Sequence, residues 1–115
     1  MAYRPELDFR LARRSTALSQ ADLAHLLAVD QPRISKFERG KARPSTAEVA
    51  TLDALFGRPL DTASLQILAE RRDELLSRLR TIPDCPKSWR TCEARVKTLG
   101  AFSDFLADLD VDLYD

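Results

Sequence analysis

Three helix-starting signals crowd into Leu18 to Ser45 and its continuation, LSQADLAHLLAVDQPRISKFERGKARPS, so this part of the 115-residue chain is confined to short helices with tight bends between them. Ser19 with Asp22 forms a variant of the capping box, after which Leu23, Ala24 and Leu27 recur on one helical face. Asp30 is the second start. Pro32 follows in the first turn, where a missing N–H costs nothing, and Ile34 and Phe37 supply the inward positions. The outward face of that segment keeps Gln31, Arg33, Ser35 and Lys36. Ser45 and Glu48 make the third start, an S-x-x-E box. It leads Val49, Ala50, Leu52, Leu55 and Phe56 to a stop at Gly57-Arg58-Pro59.

The remaining segments read as helices too. Pro5 suits the first turn of a helix over residues 5–16 with Leu7, Phe9, Leu11 and Ala12 as its apolar positions. The next two are expected over residues 20–27 and 31–39, with Gly40 closing the latter. Beyond residue 60, Asp61 or Thr62 opens a long helix whose Leu65, Leu68, Leu75, Leu79 and Ile82 step by threes and fours, interrupted by Arg72. Ile82-Pro83-Asp84-Cys85-Pro86 ends it. A last helix, from about residue 87, carries Trp89, Cys92, Val96, Leu99, Phe102, Leu106 and Leu109. The expected fold is all-α: a compact helical domain over 1–60, then a helical hairpin over 61–115. Gly100 either weakens the second arm or permits a close helix crossing.

Composition excludes more than it identifies. With 44% hydrophobic and 31% charged residues the chain is ordinary for a soluble helical protein, and no apolar run approaches the roughly 18 residues of a membrane span. MAYRPELDFRLARR has no apolar region of the secretory kind, so a cytoplasmic location is expected. No metal-ligand cluster, glycine-rich phosphate loop or acid–base constellation can be assembled. An enzyme is therefore not expected, nor a metal or a cofactor. His25 is read as a surface residue, and Cys85 and Cys92 as thiols, Cys92 packing as a small hydrophobe.

The zero net charge conceals a division. Residues 1–60 hold ten Lys or Arg against seven Asp or Glu, a balance of +3, and residues 61–115 hold eight against eleven, a balance of −3. Within residues 31–43 five cations, Arg33, Lys36, Arg39, Lys41 and Arg43, face Glu38 alone. That is the charge pattern of a surface meant for phosphate. The acidic end gathers Asp104, Asp108, Asp110, Asp112 and Asp115.

Over residues 5–60 this pattern resembles the Cro and lambda-repressor type of helix-turn-helix domain, the XRE family. Gln20 and Ala21 open the first helix of the motif, Val29 plugs the turn, Ile34 anchors the recognition helix and Phe37-Glu38-Arg39-Gly40 closes it. Ala28 stands where the family usually has Gly, and Pro32 where a base-reading polar side chain often stands. The resemblance implies a five-helix-type domain that binds double-stranded DNA in the major groove. Gln31, Pro32, Arg33, Ser35 and Lys36 would face the bases, with Ser19, Gln20, Arg39, Lys41 and Arg43 on phosphates. It also implies an ion pair between Arg13 and Glu38.

A reader of this kind is expected to act as a homodimer on a palindrome, and as a repressor. The dimer seam would use Leu65, Leu68, Leu75, Leu79, Ile82, Trp89, Leu99, Phe102 and Leu106, although part of that stripe reads equally as the chain's own core. Arg72 would fix its register or snorkel outward. The alternative expectation is an antitoxin that controls its own promoter and masks a toxin through the acidic C-terminal segment.

Overall fold

A computed structural model describes residues 5–85 and 92–109, with side chains from Asp8 onward. Six helices follow one another: α1 (Pro5–Ser15), α2 (Gln20–Leu27), α3 (Gln31–Glu38), α4 (Thr46–Leu55), α5 (Thr62–Thr81) and α6 (Cys92–Asp108). No strand occurs among the described residues, so the fold is all-α.

Local chemistry closes the short helices at both ends. Ser19 Oγ accepts from the Asp22 amide while Asp22 returns the bond to the Ser19 amide, and Ser45 and Glu48 repeat the exchange for α4. Asp30 caps α3 with Pro32 in its first turn. At their C-termini α2, α3 and α4 share one closure: an amide just beyond the helix reaches back five residues, Val29 to Ala24, Lys41 to Lys36 and Arg58 to Asp53. This closure needs a left-handed residue. Gly40 (φ 68°) and Gly57 (φ 71°) supply it for α3 and α4, whereas α2 uses Ala28 (φ 56°), where a Cβ costs about 1 kcal/mol. Ala17, between α1 and α2, is left-handed too (φ 62°), which nothing in its identity announced.

All six helices contribute to one buried cluster. Phe9 meets Phe37 and Phe56 edge-on, with centroids 6.0 and 5.6 Å apart, and Leu18, Leu23, Leu26, Ile34, Ala50, Leu52 and Leu55 continue the core. Leu11 and Val49, expected inside, point outward, because each sits one position off the buried stripe of its helix.

The long helices pack onto this cluster rather than standing apart: α5 lies against α2 and α4, and α6 against α4 and α5. This corrects the seam. Leu68, Leu75, Phe102 and Leu106 are buried in the chain's own core and present nothing to a partner, whereas Leu65, Leu79, Ile82 and Leu99 are half-buried and Val96 is 63% exposed. Trp89 and the expected helix start near residue 87 lie outside the described residues, as do Asp110, Asp112 and Asp115. An added Cβ at Gly100 meets nothing within 4 Å, so this glycine serves no close crossing. Arg72 leans 3.8 Å from the exposed Asp73 and reaches outward.

Polar contacts fasten the two halves. Arg95 of α6 grips Asp22 of α2 through two hydrogen bonds of 2.9 and 3.0 Å, both side chains being buried, and also donates to the Pro83 carbonyl at 2.7 Å. Burial pushes the Asp22 carboxyl up. The bonds from Arg95 and the Ser19 amide outweigh it and hold the group below its ordinary range. Arg78 of α5 donates to the Leu26 carbonyl at the end of α2. His25 is half-buried there rather than at the surface, its Nε2 donating to the Arg78 carbonyl at 2.9 Å. Cys85 and Cys92 are not thiols: a disulfide joins them, with Cα atoms 5.7 Å apart, across the approach from α5 to α6. Their spacing in the chain does not register that the hairpin returns α6 beside the end of α5, which is what brings the two sulfurs together.

Candidate nucleic-acid interface

The helices α2 and α3 and the loop to α4 form the face on which the expected site residues meet. Ile34, Phe37 and Glu38 anchor α3 from beneath, and α1 and α2 pack on its inner side. Gln31, Pro32, Lys36 and Arg39 stand exposed on the outer side with Ser35 half-buried between them, and Lys41 and Arg43 extend the same face into the loop. Among the described residues Lys36, Arg39, Lys41 and Arg43 make no ion pair. Four positive charges therefore converge on one solvated surface.

Glu38 locks the anchoring side. Its carboxylate is buried, and one oxygen accepts from Arg13 Nε while the other accepts from Gln20 Nε2 at 2.7 Å, with Arg10 3.8 Å away. Arg13 also donates to the Leu18 carbonyl at 3.0 Å. The structure thus joins Arg13 to Glu38 and extends that pair into a network across α1, α2 and α3. A buried carboxylate without partners would carry a heavy desolvation penalty, and here both oxygens are satisfied. Gln20 Oε1 in turn accepts from Gln31 Nε2 at 3.4 Å, so the amides opening α2 and α3 are aligned side by side. Ser19 has its oxygen engaged in the cap of α2 and lies half-buried beside them.

Arg33 sits differently from the other outward residues. Both nitrogens of its fork are engaged by Glu48 of α4, at 2.7 and 3.0 Å, and its guanidinium lies 4.9 Å from the Phe37 ring centroid. Position 33 falls on the flank of α3 that faces α4, one turn before Phe37. While that pair holds, its Nε and Nη2 are engaged and are not free to grip a base edge. Hydrogen bonding from Arg33 is the main reason the Glu48 carboxyl drops from 4.5 to about 2, burial opposing and the Ser45 amide assisting. Glu48 was legible as a helix cap, but its second role depends on how α4 crosses α3.

No cluster of three or more metal-ligating side chains occurs among the described residues, and none of the described helices is long and apolar enough to cross a membrane. Compared with known proteins, residues 8–65, half of the chain, match the model of a family described as a helix-turn-helix domain. No curated protein and no solved structure matches the chain.

Proposed function

This chain belongs to the helix-turn-helix domain family, and from that premise we propose a sequence-specific transcription repressor that binds a palindromic operator as a homodimer. A DNA-binding regulator is what the family itself indicates, and such proteins are typically not enzymes. The observation that carries the finer reading is the exposed outer face of α3, with Gln31, Pro32 and Lys36 toward the bases and Arg39, Lys41 and Arg43 flanking them. α5 and α6 pack on α2 and α4, leaving this face open to solvent. Each neutralised phosphate contributes roughly 0.9 to the logarithmic salt slope, and each good bidentate base contact about 1–3 kcal/mol of discrimination.

For the dimer, support comes from a groove of about 490 Å³ along α5 and α6, in which Leu76, Leu79, Ile82, Val96 and Leu99 alternate with Arg80, Asp84 and Ser103. It replaces the wider leucine seam. One eight-residue reading helix contacts few bases, and a second copy doubles the contacts. A DNA-binding regulator of this kind works in the cytoplasm. The antitoxin alternative drew on an acidic tail whose last aspartates lie outside the described residues, so no structural observation favours it.

Selection of bound duplexes from a random pool tests the reading. The expected result is a palindrome with half-site centres about one helical turn apart. An asymmetric site, or no salt-sensitive enrichment, overturns it.

A further inference from the structure

We propose that the Cys85–Cys92 bond is a thiol-exchange site at which a dithiol reductant loosens the DNA-gripping helices, Arg95 transmitting the change to α2. The proposal rests on the DNA-binding reading above for its consequence, and on the geometry for its coupling.

A short continuous path connects bond and grip. Cys92 is the first residue of α6 and Arg95 lies in the turn it begins, while Pro83 precedes Cys85 by two residues. Arg95 donates at 2.7 Å to the Pro83 carbonyl, so the guanidinium is held from both sides of the bond. It also makes the paired bonds to Asp22, and Asp84 acts on its charge. The same Asp22 oxygen that accepts from Arg95 Nε also accepts from the Ser19 amide, and Ser19 Oγ accepts from the Asp22 amide. Arg95 therefore braces the cap of α2, next to Gln20 and its link to Gln31 on α3.

Both cysteines are half-buried rather than sealed in the core. One thiolate of the reductant attacks a sulfur of the bond and forms a mixed disulfide; its second thiolate displaces the protein sulfur. Two electrons pass from the dithiol to the protein, two protons follow, and the products are the Cys85 and Cys92 thiols and a cyclic disulfide. Only the backbone of residues 86–91 then ties the first turn of α6 to the end of the α5 segment, without the direct sulfur bridge. Terminal helical turns fray more readily than helix interiors, and this one, which carries Arg95, is then held by the contacts to Asp22 and Pro83.

Reducing a disulfide with only a structural role would lower stability throughout. The coupling predicts a change centred on α2. The experiment compares the full chain oxidised, reduced with dithiothreitol, and reoxidised. Amide exchange is followed at Asp22 and Leu23, with Leu52 and Leu55 of α4 as reference, and affinity is measured for a duplex recovered by selection. Reduction is expected to speed exchange in α2 relative to α4 and to weaken duplex binding roughly fivefold or more, and reoxidation to restore both. Cys85→Ser/Cys92→Ser should behave as the reduced chain does and ignore dithiothreitol. Arg95→Lys, which keeps the charge but not the fork, should show fast α2 exchange while oxidised.

Unchanged α2 exchange on reduction, or a double serine variant that still responds to dithiothreitol, overturns the proposal. The exchange data are collected without DNA. A chain that binds no duplex in either state therefore overturns the DNA reading separately, whatever the coupling shows.

Discussion

The helices that build the proposed reading face and the helices that support it are held by different means. α2, α3 and α4 have 8, 8 and 10 residues, too short to be stable alone, and each is closed at both ends by its own caps. α5 and α6 have 20 and 17 residues and are held by contacts distant in sequence, namely buried leucines, Arg95 on Asp22 and Arg78 on the end of α2, with the short-range disulfide between them. Short helices thus owe their existence to neighbouring residues. The long ones owe their position to the rest of the chain, and in turn stabilise the reading face.

The hardest test of that contrast sets two residues of the long pair against each other. Leu75 is 1% exposed and Val96 is 63% exposed. Leu75→Asp buries an unpaired charge and should cost about 5 kcal/mol, melting α2 and α3 together with α5 in one transition by circular dichroism. Val96→Asp should leave the melting curve within about 0.5 kcal/mol but separate the proposed dimer in sedimentation. Separate melting of the two halves would break the comparison.

A smaller effect is expected at the polar fastening. Arg95→Met leaves Asp22 buried without its partner and should cost about 3 kcal/mol in denaturant unfolding. Losing the exposed pair Arg58–Asp8 through Arg58→Met should cost about 1 kcal/mol or less. On the reading face, Lys41→Ala should flatten the salt slope of duplex binding by about one unit with little change of fold.

Acid probes the caps of the short helices. Fold-depressed carboxyls contribute stability that is complete above their ordinary value and disappears as pH falls through the folded one. For Glu48 this window runs from 4.5 down to about 2, and Asp22 adds a loss of the same sign. Glu48→Gln should therefore lower stability at neutral pH and flatten the acid limb of a stability–pH curve. The smallest effects are backbone ones: Ala28→Gly should stabilise by about 1 kcal/mol by relieving the left-handed alanine, and Gly100→Ala by a similar amount in α6.

Much of the short-helix region was legible in advance for a physical reason. A cap is a bond between residues three apart, so Ser19–Asp22, Asp30 and Ser45–Glu48 announce themselves in the chain. The Arg13–Glu38 pair spans 25 residues and was reached through family resemblance. Arg33 shows the limit within the motif, because its neighbour Glu48 depends on the crossing of two helices. In α5 and α6, heptad-like spacing marked the apolar positions correctly as apolar. Spacing alone cannot tell a stripe buried in its own chain from one left for a partner.

What the amino-acid order determined was local: where helices start and stop, that Gln31 and Lys36 of α3 face outward, and the concentration of cations around them. Those properties depend on neighbours within about one helical turn. The tertiary structure alone decided that Leu68, Leu75, Phe102 and Leu106 close this chain's own core, that Arg33 is held by Glu48, that Arg95 reaches Asp22, and that Cys85 bonds Cys92. Each of these depends on distances between helices, and burial, charge pairing and disulfide formation act only between atoms that packing has already brought together.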